Sequence, residues 1–312
     1  MKAIKEKTNT SFAGKKDRYI FIACMLAVPI LFFCVFSLGV KLNSVLLSLK
    51  EYVVEDKKGS YEFLPFSSLG KNFGEAIGNL FNDQEVIWAF KNSVIFYLVG
   101  LLFTMPLSIF ITYIIYKKIP GSKLFTIMAY LPQMLSTIIM TLMFKNLVEK
   151  VLPYLLGKPE LSVFKDYTKL GVFIYYNSWV NLGANVILYL GAMTRIPEDL
   201  IEVGQLEGIS LWKEFRLITL PLIFPTITVF IVAGVAGLFT NQNNLYNFYD
   251  AEAPKDISNL GYYMFVRVIG NHAQLRDYPY ASAFGVLFTM VAAPITLLVK
   301  YLLEKFGPSA EF

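Results

Sequence analysis

Six long apolar stretches, separated by polar segments, are the main feature of the sequence. They cover residues 19–40, 87–115, 124–146, 170–193, 218–240 and 281–303. An α-helix needs about 20 apolar residues to cross a bilayer. The second stretch is interrupted by Lys91 and Asn92, and Pro132 and Pro294 lie inside the third and sixth, where neighbouring helices can satisfy the freed backbone groups. The pattern predicts an all-α integral membrane protein with six transmembrane helices.

The composition supports this prediction. Hydrophobic residues make up 55% of the chain and charged residues 16%, whereas soluble domains have about 25% charged residues. The net charge is only +5, and no basic run is interleaved with aromatic residues, so no nucleic acid partner is expected. Cys24 and Cys34 would lie about 15 Å apart on one helix, too far for a disulfide. With His272 as the single histidine, a zinc site is not expected either.

The positions of lysine and arginine predict the orientation of the chain. Residues 1–18 carry six basic side chains just before the first apolar stretch, which favours a cytoplasmic N-terminal tail. After six crossings the tail at 304–312 is cytoplasmic too, and residues 41–86 form an extracellular loop ahead of a core at 87–303. That loop contains FSSLGKNFGEAIGNLFND, which predicts a short amphipathic helix. Five lysines within 145–169, on the predicted outer side, oppose this orientation.

The segment between the fourth and fifth stretches, RIPEDLIEVGQLEGISLWKEFRLITLPLIFP at 195–225, is polar but patterned as a helix. Pro197 suits the first turn of a helix. Apolar residues recur every third position from Leu200 to Trp212, a spacing that one straight helix would spread around most of its surface. A break at Gly208 resolves this conflict, because glycine tolerates a left-handed backbone. We predict a short helix, a glycine turn and then a second amphipathic helix.

Two roles are open for this segment. It could lie on the lipid surface, but interfacial helices usually carry Lys and Arg on their polar face. Here the first half carries Glu198, Asp199 and Glu202, which anionic headgroups repel. The acids favour docking onto another protein.

The stretch EVGQLEGISLWKEFRLITLPLIFP resembles the EAA loop of ABC importer permeases, whose pattern is Glu-Ala-Ala, three residues, Gly, nine residues and Ile-x-Leu-Pro. The matching positions are Glu202, Glu207, Gly208, Ile218, Leu220 and Pro221, with Glu207 where Asp is common. Val203 and Gly204 replace the two alanines, and glycine weakens a helix by about 1 kcal/mol relative to alanine. The stretches WAFKNSVIFYLVG, NSWVNLGANVILYLGAMTRIPEDL and YPYASAFGVLFTMVAAPITLLVKYLLEKFG are also similar to parts of carbohydrate-uptake permeases, so the resemblance covers about residues 19–307.

The resemblance implies the type I importer permease fold, with residues 195–221 as a cytoplasmic coupling helix. The ATPase-coupling residues that it implies are Glu202, Glu207, Gly208, Leu220 and Pro221. The implied partners are a second homologous permease, a cytoplasmic ABC ATPase dimer, an extracellular lipoprotein solute-binding protein and membrane lipid, all at the cell membrane of a prokaryote. ATP and Mg would bind to the partner ATPases, with no cofactor on this chain. The implied cargo is an oligosaccharide or another sugar.

Polar residues inside apolar stretches are candidates for a substrate path, because such residues are costly in lipid and tend to face a cavity. Asn177, Asn181 and Asn185 repeat every four residues and share one helix face, with Trp179 nearby and Gln133 in the third stretch. Amides and aromatic rings together suit a sugar. Hydrogen bonding between helices is the alternative role for these asparagines. The amide-rich segment 241–244 is predicted to be a solvated loop.

Two other classes of protein remain as alternatives. A secondary transporter or channel for a small polar solute would also be helical, but no Asp or Glu lies within the six apolar stretches, which argues against proton coupling. A membrane-embedded enzyme would need a catalytic motif, and we find none in the sequence. The phosphate-loop pattern G-x-x-x-x-G-K-[ST] is missing too, so this chain is not expected to hydrolyse ATP.

Overall fold

The structure is a computed structural model that describes residues 14–55, 58–158, 169–269 and 274–308. His272 lies outside the described residues. Helix α1 spans Arg18–Ser48 and so continues past the predicted end at residue 40. No residue in the most apolar part of α1 is buried, whereas its last turns, Val40–Ser48, pack against the final helix of the chain. The first half of α1 therefore presents its side chains to the surroundings of the molecule.

A β-hairpin and a short helix follow α1, and we call them together the hairpin cap (residues 50–82). Strands β1 (Lys50–Glu55) and β2 (Lys58–Phe63) pair antiparallel. Helix α2 spans Lys71–Asn82 and confirms the predicted amphipathic helix. The hairpin was not predicted, because its six-residue strands are rich in charge and alternate too briefly to give a strong strand signal.

Polar contacts, one of them buried, fix the hairpin cap to the helices. The Asn72 side chain donates hydrogen bonds of 2.8 Å to the carbonyl oxygens of Ser48 and Lys50, where α1 gives way to β1. The Tyr61 hydroxyl donates to the carbonyl oxygen of Leu275, just before the final helix. Burial raises the pKa of Tyr61, the nearby phenols of Tyr278 and Tyr52 raise it further, and the hydroxyl stays a donor at neutral pH.

Helix α3 spans Gln84–Tyr116 and contains the predicted second apolar stretch. Asn92, one of the two polar residues that interrupt this stretch, is buried and donates to the carbonyl oxygens of Asp256 (2.8 Å) and Ser258 (2.9 Å). The next residue, Ser93, accepts a hydrogen bond from a backbone N–H of the same distant segment. These polar side chains therefore bind another part of the chain and do not face lipid.

The predicted third span is not one helix but two. Helices α4 (Ser122–Met134) and α5 (Thr137–Leu155) meet at an angle of 110°. The backbone is extended at Leu135, the residue directly after the end of α4. Pro132 lies inside α4, three residues before Leu135, and its ring removes the hydrogen bond to the preceding turn. The break itself lies after the proline.

The remaining helices agree with the apolar stretches but add elements in the loops. Helix α6 spans Lys169–Met193, α7 Glu198–Leu206, α8 Leu211–Leu222, α9 Phe224–Gly237, α10 Leu245–Tyr249, α11 Leu260–Ile269 and α12 Asp277–Phe306. The predicted fifth span at 218–240 contains a bend of 63° between α8 and α9. Helix α12 runs unbroken through Pro294. The short helices α10 and α11 were not predicted.

Three of the described helices, α1, α3 and α12, are long and apolar enough to cross a membrane, and the bent pairs α4–α5 and α8–α9 can bring the number to five. Helix α6 has 25 residues and a length of about 37 Å, but its asparagines lower its hydropathy. The count of six spans therefore stays a prediction.

Helix α3 defines two ends of the bundle. Asn92 contacts the segment before α11, close to the hairpin cap, and we call this the cap end. Lys117, directly after α3, contacts Glu214 of α8 at what we call the loop end. These two positions are 25 residues apart on one helix, so the ends lie roughly 37 Å apart.

Candidate functional site

Residues 195–221, which we call the EAA-like loop, form a helix, a glycine turn and a second helix, as predicted. Helix α7 begins after Pro197 and ends at Leu206. Gly208 has a φ of +70°. The N–H of Gly208 donates to the carbonyl of Gln205, and the N–H of Ile209 donates to that of Gly204. This pair of bonds is the Schellman ending, which needs a left-handed residue where Gly208 stands.

The outer side of α7 is an exposed surface of mixed acidic and apolar character. Leu200, Val203 and Leu206 follow one another at three-residue spacing and are all exposed, Leu206 to 88%. Glu202 and Glu207 are exposed as well. A group of exposed large apolar side chains is a feature of docking surfaces.

The inner side of the loop explains the glycine that replaces alanine in the EAA pattern. Gly204 is buried, and a methyl group there would lie 2.7 Å from Cδ1 of Ile209 and 3.1 Å from Cδ1 of Ile218. The missing side chain makes room for these two isoleucines. Helix α7 forms without the alanine, because the packing compensates for the lower helix propensity of glycine.

Contacts with α3 hold the start of α8. The Nζ atom of Lys117 lies 2.6 Å from Oε1 of Glu214, and the Tyr113 hydroxyl donates to the carbonyl oxygen of Leu211 over 2.9 Å. The rings of Tyr113 and Phe215 are 4.9 Å apart. Sequence reasoning missed Glu214. Its position four residues before the half-buried Ile218, on the inner side of an amphipathic helix, was the signal that could have identified it.

The predicted residues Leu220 and Pro221 lie where α8 turns into α9. Both are half-buried, and Ile223, at the bend itself, is buried. Leu220 and Ile223 join an apolar cluster that includes residues of α3 and α6. This part of the loop therefore belongs to the helix bundle, whereas Glu202, Glu207 and Gly208 lie on its surface.

A polar cavity of about 290 Å³ lies between α3, α6 and α9. Its lining carries hydroxyl and amide side chains and no charged side chain among the described residues. The polar lining residues are Ser93, Tyr97, Thr104, Asn177, Ser178, Asn181, Asn185, Tyr189, Asn241 and Asn243. The structure thus brings the three predicted asparagines of α6 together on one cavity wall.

Hydrogen bonds within the chain use part of this amide capacity. The Asn177 side chain donates to the carbonyl of Phe173 (3.0 Å) and accepts from the Asn244 side chain (3.1 Å). The Asn181 side chain donates to the carbonyl of Asn177 over 2.8 Å. The predicted loop at 241–244 is present and Asn241 is exposed, but the segment has a further role: Asn241 and Asn243 line the cavity, and Asn244 bonds to Asn177.

Gln133 and Trp179 do not line this cavity. Two positions along a helix correspond to roughly 200°, so Trp179 points away from Asn177. It packs against an aromatic cluster that includes Phe144 and Phe173. The Gln133 side chain donates to the carbonyl of Val180, on the face where α4 meets α6. Helix periodicity placed the asparagines correctly, whereas proximity in sequence did not do so for the tryptophan.

Comparisons with a family model and with individual proteins identify the same family of transport permeases. The family model described as "Binding-protein-dependent transport system inner membrane component" matches residues 104–311. The chain is 23% identical over 292 residues to the lactose transport system permease protein LacF of Rhizobium radiobacter, covering 91% of this chain and 92% of LacF. It is 25% identical to the multiple sugar-binding transport system permease protein MsmF of Streptococcus mutans, covering 79% of this chain and 87% of MsmF.

The fold is shared with a solved transporter. The crystal structure of a bacterial alginate ABC transporter, in complex with an alginate pentasaccharide-bound periplasmic protein, contains a chain that superposes with a TM-score of 0.72. The two chains are 21% identical, and the match covers 94% of this chain and 97% of that one. The family match sets aside the secondary transporter and the membrane enzyme as alternatives. The chain therefore belongs to the family of inner membrane components of binding-protein-dependent transport systems.

Proposed function

We propose that this chain is one of two permease subunits of an ATP-driven importer for an oligosaccharide or another sugar. The relatives LacF and MsmF are named as lactose and multiple-sugar permeases, and the solved transporter with the same fold imports alginate. A second, homologous permease completes the translocation path, and an extracellular solute-binding protein delivers the sugar.

The observation that carries this proposal is the exposed surface of α7 at the loop end. Leu206 is 88% exposed beside two further exposed apolar residues and two acids, a surface that fits a partner with an apolar cleft. In the proposed complex that partner is a cytoplasmic ATPase, which also holds ATP and Mg. The rigid ending at Gly208 and the contacts with α3 give the docked loop a firm connection to the membrane helices.

The positions of both chain ends support a cytoplasmic EAA-like loop. Helix α1 reaches the hairpin cap at Ser48, so its other end, towards Arg18, extends away from the cap end. Helix α12 follows Leu275, which is bonded to the cap. It ends at Phe306, and the next residue, Gly307, lies against the ring of Phe224 at the start of α9. The described ends of the chain and the EAA-like loop therefore share one side, as a cytoplasmic N-terminus, C-terminus and loop require.

The chemistry of the cavity supports a sugar as cargo. Hydroxyl groups of a sugar need both donors and acceptors, and each amide or hydroxyl of the lining supplies both. The described lining carries no charge that would favour or repel an ionic solute. A volume of about 290 Å³ suits a small part of an oligosaccharide at a time, with the second permease forming the opposite wall.

Co-purification with the ATPase tests this function. The chain, the candidate partner permease and the candidate ATPase are expressed together, and a tag on this chain is used for capture. Leu206→Ser is compared with Phe66→Ser, a matched control because Phe66 is 94% exposed but lies at the hairpin cap. Burying a leucine contributes about 1.5–3 kcal/mol, so Leu206→Ser is expected to weaken ATPase binding by roughly 10- to 100-fold.

Retention of the ATPase by wild type and by Phe66→Ser, with loss from Leu206→Ser, supports the docking surface. A wild-type chain that captures its partner permease but none of the candidate ATPases contradicts the proposed function. Equal ATPase recovery with all three chains keeps the importer but removes α7 as the docking element.

A further inference from the structure

A nearly buried ion pair joins the EAA-like loop to α3. Nζ of Lys117 and Oε1 of Glu214 are 2.6 Å apart, and the two side chains are only 13% and 3% exposed. Each of the other four ion pairs among the described residues has at least one partner that is more than half exposed. Burial on both sides therefore distinguishes this pair from ordinary surface charge pairs, which contribute little.

The helix ends favour the same arrangement. Lys117 directly follows α3, where the helix dipole leaves partial negative charge, and Glu214 lies in the first turn of α8, where the partial charge is positive. The hydroxyl of Tyr113 adds a hydrogen bond to the carbonyl of Leu211, one turn before Glu214. The first turn of α8 is thus fixed to the end of α3 by charge and by hydrogen bonding.

Helix α3 also forms a wall of the polar cavity. Ser93, Phe96, Tyr97 and Thr104 belong to it and line the cavity. The covalent route from the loop to the cavity passes through the 63° bend between α8 and α9, where a change of angle can absorb movement. The route through Lys117 and Glu214 avoids this bend and leads into one continuous helix.

We propose that Lys117 and Glu214 are positioning residues for energy coupling. The pair makes α8 and α3 move together, so that a displacement of the docked EAA-like loop displaces the cavity wall. This inference rests on the proposed function. Apolar residues of similar size would stabilise the contact at least as well as a buried ion pair, which carries a large desolvation cost. What the pair adds is a fixed register between the two helices, and neither residue belongs to the EAA pattern.

The test uses the whole complex with its partner permease, ATPase and binding protein in proteoliposomes. The probe is the sugar that wild type imports from a panel of lactose, maltotriose and raffinose, and the measured quantity is the number of sugar molecules imported per ATP hydrolysed. The variants are Glu214→Gln, Lys117→Gln and the exchange Lys117→Glu with Glu214→Lys. Glu304→Gln is the matched control, because Glu304 pairs with Lys300 on an exposed surface of α12.

Each single variant is expected to keep its ATPase, measured by subunit stoichiometry, while the sugar imported per ATP falls at least tenfold. The exchange restores a pair of opposite charges but reverses both charges relative to the helix dipoles, so it is expected to recover the ratio in part, to a value above both single variants. Glu304→Gln is expected to leave the ratio unchanged. A purely structural ion pair would lower the yield of complex but not this ratio.

Ratios within twofold of wild type in both assembled single variants would overturn the proposal. An exchange variant as defective as the single variants, at equal assembly, would do so too. If the charge variants do not reach the membrane, Tyr113→Phe decides the question, because it removes the hydrogen bond from α3 to the carbonyl of Leu211 in the first turn of α8. It is expected to lower the sugar imported per ATP at least threefold, and an unchanged ratio overturns the proposal. A wild-type complex without bound ATPase, or without import of any sugar of the panel, contradicts the proposed function itself and this proposal with it.

Discussion

Replacing Gly183 by alanine is expected to separate α4 from α6. A methyl group at Gly183 would overlap the backbone carbonyl oxygen of Ala129 and lie 3.1 Å from its carbonyl carbon and 3.0 Å from Cγ of Gln133. The Gln133 side chain can move, but a carbonyl group inside a helix cannot rotate away. One of the two helices must therefore shift as a body. Overpacking of this kind costs about 1–3 kcal/mol, and a contact with backbone belongs at the upper end of that range.

The same helix offers a matched control. Gly191 also lies in α6, and no atom lies within 4 Å of the place where its methyl group would be. Gly191→Ala therefore gains helix propensity, about 1 kcal/mol, without a clash. The midpoint of thermal unfolding in detergent is expected to fall by roughly 2–5 °C for Gly183→Ala and to stay level or rise for Gly191→Ala. Equal midpoints for the two variants would refute the close approach of α4 and α6.

Three further predictions concern other parts of the molecule. Asn92→Leu leaves the carbonyl groups of Asp256 and Ser258 without their donor, so the free energy of unfolding should fall by about 1–3 kcal/mol. Hydrogen exchange of the backbone amides in the segment before α11 should accelerate, and an unchanged exchange rate would contradict these hydrogen bonds. Gly208→Val places a branched side chain at a φ of +70° and should weaken ATPase co-purification, whereas Gly208→Asn, which tolerates that backbone, should retain it. Asn185→Leu removes an amide from the cavity wall and should raise the KM of sugar uptake roughly tenfold, with ATPase binding unchanged. An unaltered KM would show that Asn185 does not contact the sugar.

Periodic signals in the sequence predicted those parts of the fold that depend on one segment alone. The conflict between a three-residue spacing and a 3.6-residue turn located the break at Gly208, and the structure has a left-handed residue there. The four-residue repeat of Asn177, Asn181 and Asn185 placed them on one face, and that face lines a cavity. Both inferences needed only the geometry of a helix.

Features that depend on two distant segments were not readable in the same way. Glu214 is buried because Lys117 lies opposite, nearly one hundred positions earlier in the chain, and one segment's pattern carries no sign of that partner. The break between α4 and α5 was missed because proline is compatible with continuous membrane helices, as Pro294 in α12 demonstrates, and with broken ones, as Pro132 demonstrates. Packing decides between the two outcomes.

The hydrogen bonds of Asn92 have a consequence for biosynthesis. Its two acceptors lie 164 and 166 positions later in the chain. At about 5–20 residues per second, a ribosome needs roughly 8–33 s to reach them after Asn92 has been made. During that time the second apolar segment carries the Asn92 amide without these two acceptors, and a chain that stops before residue 256 never gains them. The amide that anchors the cap end is therefore satisfied only after synthesis has passed Ser258.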